Sequence, residues 1–109
     1  MNIKKIRIAL TTILLAIVVV YSLWRYPPLL IIAILLIAYF KHVFAPLKKE
    51  LIMFLVSAIV GAGGESIIMF GGPWSYATPT IVNFPIWLPF LWGLAGITGI
   101  SLYQGITED

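Results

Sequence analysis

From Leu51 to Thr107 the chain reads LIMFLVSAIVGAGGESIIMFGGPWSYATPTIVNFPIWLPFLWGLAGITGISLYQGIT, 57 residues in which Glu65 is the one acidic or basic side chain. A membrane-spanning helix needs about 20 predominantly apolar residues at 1.5 Å rise per residue. This run is too long for one span and accommodates two with a connection. Glycine, proline, serine and threonine crowd into Gly71-Gly72-Pro73-Trp74-Ser75-Tyr76-Ala77-Thr78-Pro79-Thr80, a composition that breaks helices and forms turns. The reading is therefore a third span over about 50–70, an outer loop over 71–84 and a fourth span over about 85–103. Pro85 is expected in the first turn of that last helix and Pro89 at a kink near its outer end.

Moving outward, the N-terminal half divides at its charges. Between Arg7 and Arg25 lies an uncharged run from Ile8 to Trp24, and a second extends from Tyr26 to Phe40. Pro27-Pro28 and Pro46 bound the latter. These runs give a first span over about 6–24 and a second over about 29–45. The first begins like a signal peptide, but its apolar run is long and lacks a small-x-small cleavage site, so it reads as a retained helix. Lys41, near the end of the second span, is expected to snorkel to the headgroups. Overall 61% of residues are hydrophobic and 10% charged, against about 45–50% and about 25% in soluble domains. Disorder needs the opposite balance.

The expected fold is thus all-α, an integral membrane bundle of four transmembrane helices forming one domain over residues 1–109. Lys4, Lys5, Arg7, Lys41, Lys48 and Lys49 fall on one side of that arrangement and Arg25 alone on the other. Short loops rich in Lys and Arg stay inside, so both termini are expected in the cytoplasm (N-in/C-in) and the chain in the cell membrane.

Ser57, Ala58, Gly61, Ala62 and Glu65 share one helical face of span three, and Trp92, Gly96, Gly99 and Tyr103 share one of span four. Small residues at three- and four-residue spacing let membrane helices approach closely. Ser57, Gly61, Gly96 and Gly99 are therefore read as packing positions of a tight antiparallel hairpin. Glu65 lies about 7–8 Å below the outer end of span three. A charged carboxylate at the centre of a span costs about 3 kcal/mol on insertion scales, so such groups face an interior or a wet cavity. By depth, Trp74, Tyr76, Asn83 and Trp87 are the candidate donors to it, and with Trp92 they are the expected lining of an outer-leaflet pocket. Two roles stand level for Glu65: a hydrogen-bonded clasp of the hairpin, or a catalytic acid, carrier or ligand anchor. His42 reads as a solvated or headgroup-facing side chain.

Several classes are excluded. Without cysteine there is no disulfide framework or thiolate chemistry. No phosphate-binding glycine loop occurs, since Gly61-Ala62-Gly63-Gly64 has no following lysine. His42 and Glu65 fall on opposite sides of the membrane, which rules out a triad. Neither a metal site nor a cofactor is expected, and nucleic-acid binding lacks a basic stripe.

The stretches Gly64-Glu65, Gly72-Pro73-Trp74-Ser75-Tyr76 and Phe84-Pro85-Ile86-Trp87-Leu88-Pro89-Phe90-Leu91-Trp92-Gly93-Leu94-Ala95-Gly96 resemble a group of small archaeal and bacterial multi-pass membrane proteins without an assigned activity. The resemblance covers about the second half of the chain. More distantly, the sequence is similar to membrane carotenoid hydratases and cyclases, which also place an intramembrane acid before a Gly/Tyr/Trp loop. That likeness implies an isoprenoid substrate with Glu65 as the acid.

Three functions follow as expectations. The first is an accessory or oligomeric membrane component, a homo-oligomer or part of a larger membrane complex, with a buried site formed by Glu65 and the aromatics. The second is an enzyme or binding protein for a lipid or isoprenoid, with Glu65 as acid or anchor. The third is proton or cation transport through Glu65. Whether the chain is an enzyme stays open at this point, and the lipid bilayer is its one certain partner.

Overall fold

The computed structural model describes residues 1–108 and is all-helical, with α1 at Ile3–Leu23, α2 at Pro27–Phe44, α3 at Glu50–Met69 and α4 at Leu88–Thr107. Helices α1, α2 and α3 are each long and apolar enough to cross a membrane. Their outward faces are paved with aliphatic side chains such as Leu14, Ile17, Ile59 and Val60. Water would not tolerate so much exposed hydrocarbon, and lipid does. The chain is a membrane protein.

Each helix begins and ends for a local reason. The Asn2 side chain accepts from the Lys5 backbone N–H at 3.2 Å and caps α1. Pro27 and Pro28 occupy the first turn of α2, where the missing N–H is no loss. Lys49 takes the left-handed conformation (φ 53°) just before α3. Helix α4 starts at Leu88, three residues later than the sequence suggested. Pro85 therefore precedes the helix, and Pro89 sits in its first turn rather than at a kink. The reason is the same as in α2: a proline in the first turn removes no hydrogen bond.

Helix α4 is the hub. Its most extensive contact is with α3, followed by α1 and α2, while α1 also packs on α2. Gly93, Leu94, Ile97, Thr98, Ser101 and Gly105 are all buried along it. Helix α4 touches all three of the other helices, and four of its 20 residues are glycine. Glycine lets those neighbours close in. A Cβ at Gly96 would overlap the Ser57 side chain, and one at Gly61 the Trp92 ring. At Gly93 it would come within 2.6 Å of Phe54, and at Gly105 within 2.8 Å of Ile6. Gly99 departs from the expected packing role, since a Cβ there meets nothing within 4 Å. Tyr103 is likewise exposed. Helices α3 and α4 touch at Ser57/Gly96 and Gly61/Trp92, and the stripe continues past that contact onto open surface.

The start of α1 and the end of α4 lie at one end of the bundle. The Asn2 N–H donates to the Gly105 carbonyl at 2.7 Å, and Lys5 pairs with Glu108 at 2.6 Å. That ammonium holds the exposed Glu108 carboxyl below its ordinary range. Near the same end Lys41 corrects the snorkelling expectation. Its side chain is fully buried, pairs with Glu50 at 2.5 Å and donates to the Ala45 carbonyl at 3.0 Å. Pro46 stops α2, and the short turn that follows brings the first residue of α3 back against the ammonium. Neutralisation inside the protein replaces the headgroups.

Candidate functional site

At the opposite end, the segment between α3 and α4 folds back over the top of α3. Gly71 and Gly72 N–H groups donate to the Ile68 and Met69 carbonyls at 2.9 and 3.0 Å, closing the helix. Gly72 has φ +88°, a conformation that a side chain disfavours. The reversal returns Trp74 and Tyr76 toward Glu65. A second tight turn at 81–84, with Val82 at φ 51° and the Phe84 N–H donating to the Ile81 carbonyl at 2.9 Å, then leads into α4.

Glu65, partly buried, receives three neutral donors. Trp74 Nε1 donates to Oε1 at 3.1 Å, the Tyr76 hydroxyl donates to the same oxygen, and Trp92 Nε1 donates to Oε2 at 2.7 Å. Burial, then the hydrogen bond to Glu65 and its charge, push the Tyr76 hydroxyl well above its usual pKa, so it stays a donor. Among the described residues Glu65 has no ion-pair partner; the basic groups that pair do so with Glu50 and Glu108 at the other end. The Trp92 ring reaches Glu65 because Gly61 leaves room for it.

Two of the sequence candidates go elsewhere. Asn83 accepts from Ser66 Oγ at 2.6 Å and donates to the Ser66 carbonyl at 3.0 Å, so it clamps the loop to α3 one residue away from Glu65. Trp87 is buried edge-on against Tyr76, with ring centroids 6.0 Å apart, and its Nε1 has no partner among the described residues. Depth along the helix ranked these side chains correctly for height but said nothing about direction around the axis.

A pocket of about 200 Å³ adjoins Glu65, bordered by Tyr76, Leu88, Leu91, Trp92 and Ala95. A larger groove of about 570 Å³ lies between α1 and α4, walled by Ile13, Ile17 and Val20 and floored by Leu94, Thr98 and Gly99. Leu91 and Ala95 border both. A polar corner therefore adjoins a hydrocarbon channel. A carboxylate offers about four lone-pair positions, and three donors leave capacity for one more.

The sequence reading missed a second polar cluster. Glu50 bridges buried Lys41 and half-exposed His42, whose Nδ1 bonds Oε1, and accepts the Leu47 N–H at 3.2 Å. An acid immediately following Lys48-Lys49, nine residues after Lys41 across a proline turn, was the available signal. No group of three metal-ligating side chains forms among the described residues. No family model, curated protein or solved structure matches this chain.

Proposed function

We propose that the chain is a four-span membrane protein, with both termini cytoplasmic, that binds a lipid or isoprenoid amphiphile at Glu65 in the outer leaflet. Three features support the orientation and the fourth span. The 20 residues of α4 reach about 30 Å, enough to cross a bilayer. The start of α1 and the end of α4 share one end of the bundle. The charges of that end and of the α2–α3 turn are the Lys/Arg-rich set. Single cysteines introduced into this cysteine-free chain test it: S75C should react with an impermeant thiol reagent on intact cells and T107C should not.

The observation that carries the binding role is that the Glu65 pocket and the α1–α4 groove share Leu91 and Ala95 as a common border. Binding sites of this kind are mostly apolar with a few polar groups that fix orientation. Glu65, held by Trp74, Tyr76 and Trp92, is that group. Native mass spectrometry of the protein released from mild detergent should show a protomer carrying a lipid-sized mass. A bare protomer would overturn the proposal.

The exposed small residues Ala95 and Gly99 favour a second reading, in which the open face of α4 receives another helix and the chain is an oligomeric or accessory component. The same spectra separate the two. A lipid-free dimer or hetero-complex supports the second.

A further inference from the structure

Resting on that binding role, we infer that the headgroup taken at Glu65 is a small cation, an ammonium group, carried on an aliphatic or isoprenoid tail that lies between α1 and α4. The carboxylate has hydrogen-bond donors but no counter-charge among the described residues. A neutral donor would fill its remaining capacity, whereas a cation fills it and supplies the missing charge in a low-dielectric setting. The pocket of about 200 Å³ suits a compact headgroup. Leu91 and Ala95 border both this pocket and the groove of about 570 Å³, whose lining is almost wholly apolar.

A second copy of this chain is a poorer occupant. At this end of the bundle its one basic side chain is Arg25, which lies over its own Trp24 ring, 4.8 Å from the centroid. To reach the Glu65 of a neighbouring copy, that guanidinium would have to leave the ring it covers.

The test uses the purified full chain in nonionic detergent, titrated with dodecylammonium or with dodecanol and read by native mass spectrometry. A charge-assisted contact predicts that the ammonium is retained about tenfold or more over the alcohol. Glu65→Gln should erase that preference, and Ala95→Phe, which adds bulk on the border of both cavities, should weaken both probes alike. Equal retention of the two probes, or a preference that survives Glu65→Gln, overturns the cationic headgroup. If both probes still bind and both respond to Ala95→Phe, the amphiphile-binding role stands without it. Retention of neither probe removes both. The wild-type comparison needs no variant, so misfolding of Glu65→Gln would still leave the inference open to refutation.

Discussion

Replacing Glu50 by glutamine deletes the charge that neutralises Lys41 while keeping the size of the side chain. Lys41 is fully buried and Glu50 nearly so, with the ammonium 2.5 Å from the carboxylate. Removing one partner of such a pair strands the other, at a cost of ~3–5 kcal/mol. Glu50 also sits in the first turn of α3, where a negative charge is worth ~0.3–1 kcal/mol against the helix dipole. A double-mutant cycle with Lys41→Met separates these contributions, because the dipole contribution is present whether or not the lysine is. The double variant Lys41→Met/Glu50→Met should recover most of the loss, since an apolar pair of similar volume is often neutral or better. The expected coupling is ~2–3 kcal/mol, at the upper end for residues in contact. Equilibrium unfolding in mixed micelles, followed by circular dichroism, reads it. A coupling below ~0.5 kcal/mol is the value of an exposed pair, and would show that water or headgroups reach Lys41.

The remaining predictions concern the hairpin and its loop. Gly96→Val should destabilise the protein by ~1–3 kcal/mol because its Cβ overlaps Ser57. Gly99→Ala on the same stripe should be neutral or stabilising by up to ~1 kcal/mol, since it meets open space and raises helix propensity; equal losses at the two positions in thermal melts would refute the observed register. The raised Tyr76 hydroxyl gives a pH signature. Its contribution is fully present below the ordinary tyrosine value of 10.0 and is lost as pH rises beyond it, at up to ~1.4 kcal/mol per unit. Ultraviolet titration should find that the Tyr76 phenol resists ionisation until unfolding, read as the difference between the wild-type curve and that of Tyr76→Phe. A difference curve that titrates near pH 10 in the native protein would contradict the geometry.

What the sequence made legible was height within the bundle, and what it concealed was azimuth. Gaps between charges, with the Gly/Pro-rich stretch after Phe70, located four helices to within three residues at their starts. The distance from Glu65 to the end of α3 singled out Trp74 and Tyr76, which the structure does bring to it. The same distance also nominated Asn83 and Trp87, which turn to Ser66 and to the Tyr76 ring instead. The backbone path that decides this includes Val82 in a left-handed conformation, for which valine gives no sequence warning. Lys41 shows a related blindness: a lone lysine near a helix end reads as headgroup-seeking until a turn happens to deliver an acid beneath it.

Glycine and alanine carry the deepest ambiguity. On one face of α4, Gly96 admits Ser57 while Gly99, three residues on, admits nothing from this chain. A missing side chain in a membrane helix signals close approach only when a neighbour is present to approach. Helix α4 has α1 on one flank and α3 on another, with an open strip that includes Ala95 and Gly99. Within this chain that strip is open, so the small residues there make depth. Glu65 stands at its upper margin through the pocket shared at Leu91 and Ala95. Ala95 is exposed on that strip, so Ala95→Phe adds bulk there without replacing a buried side chain.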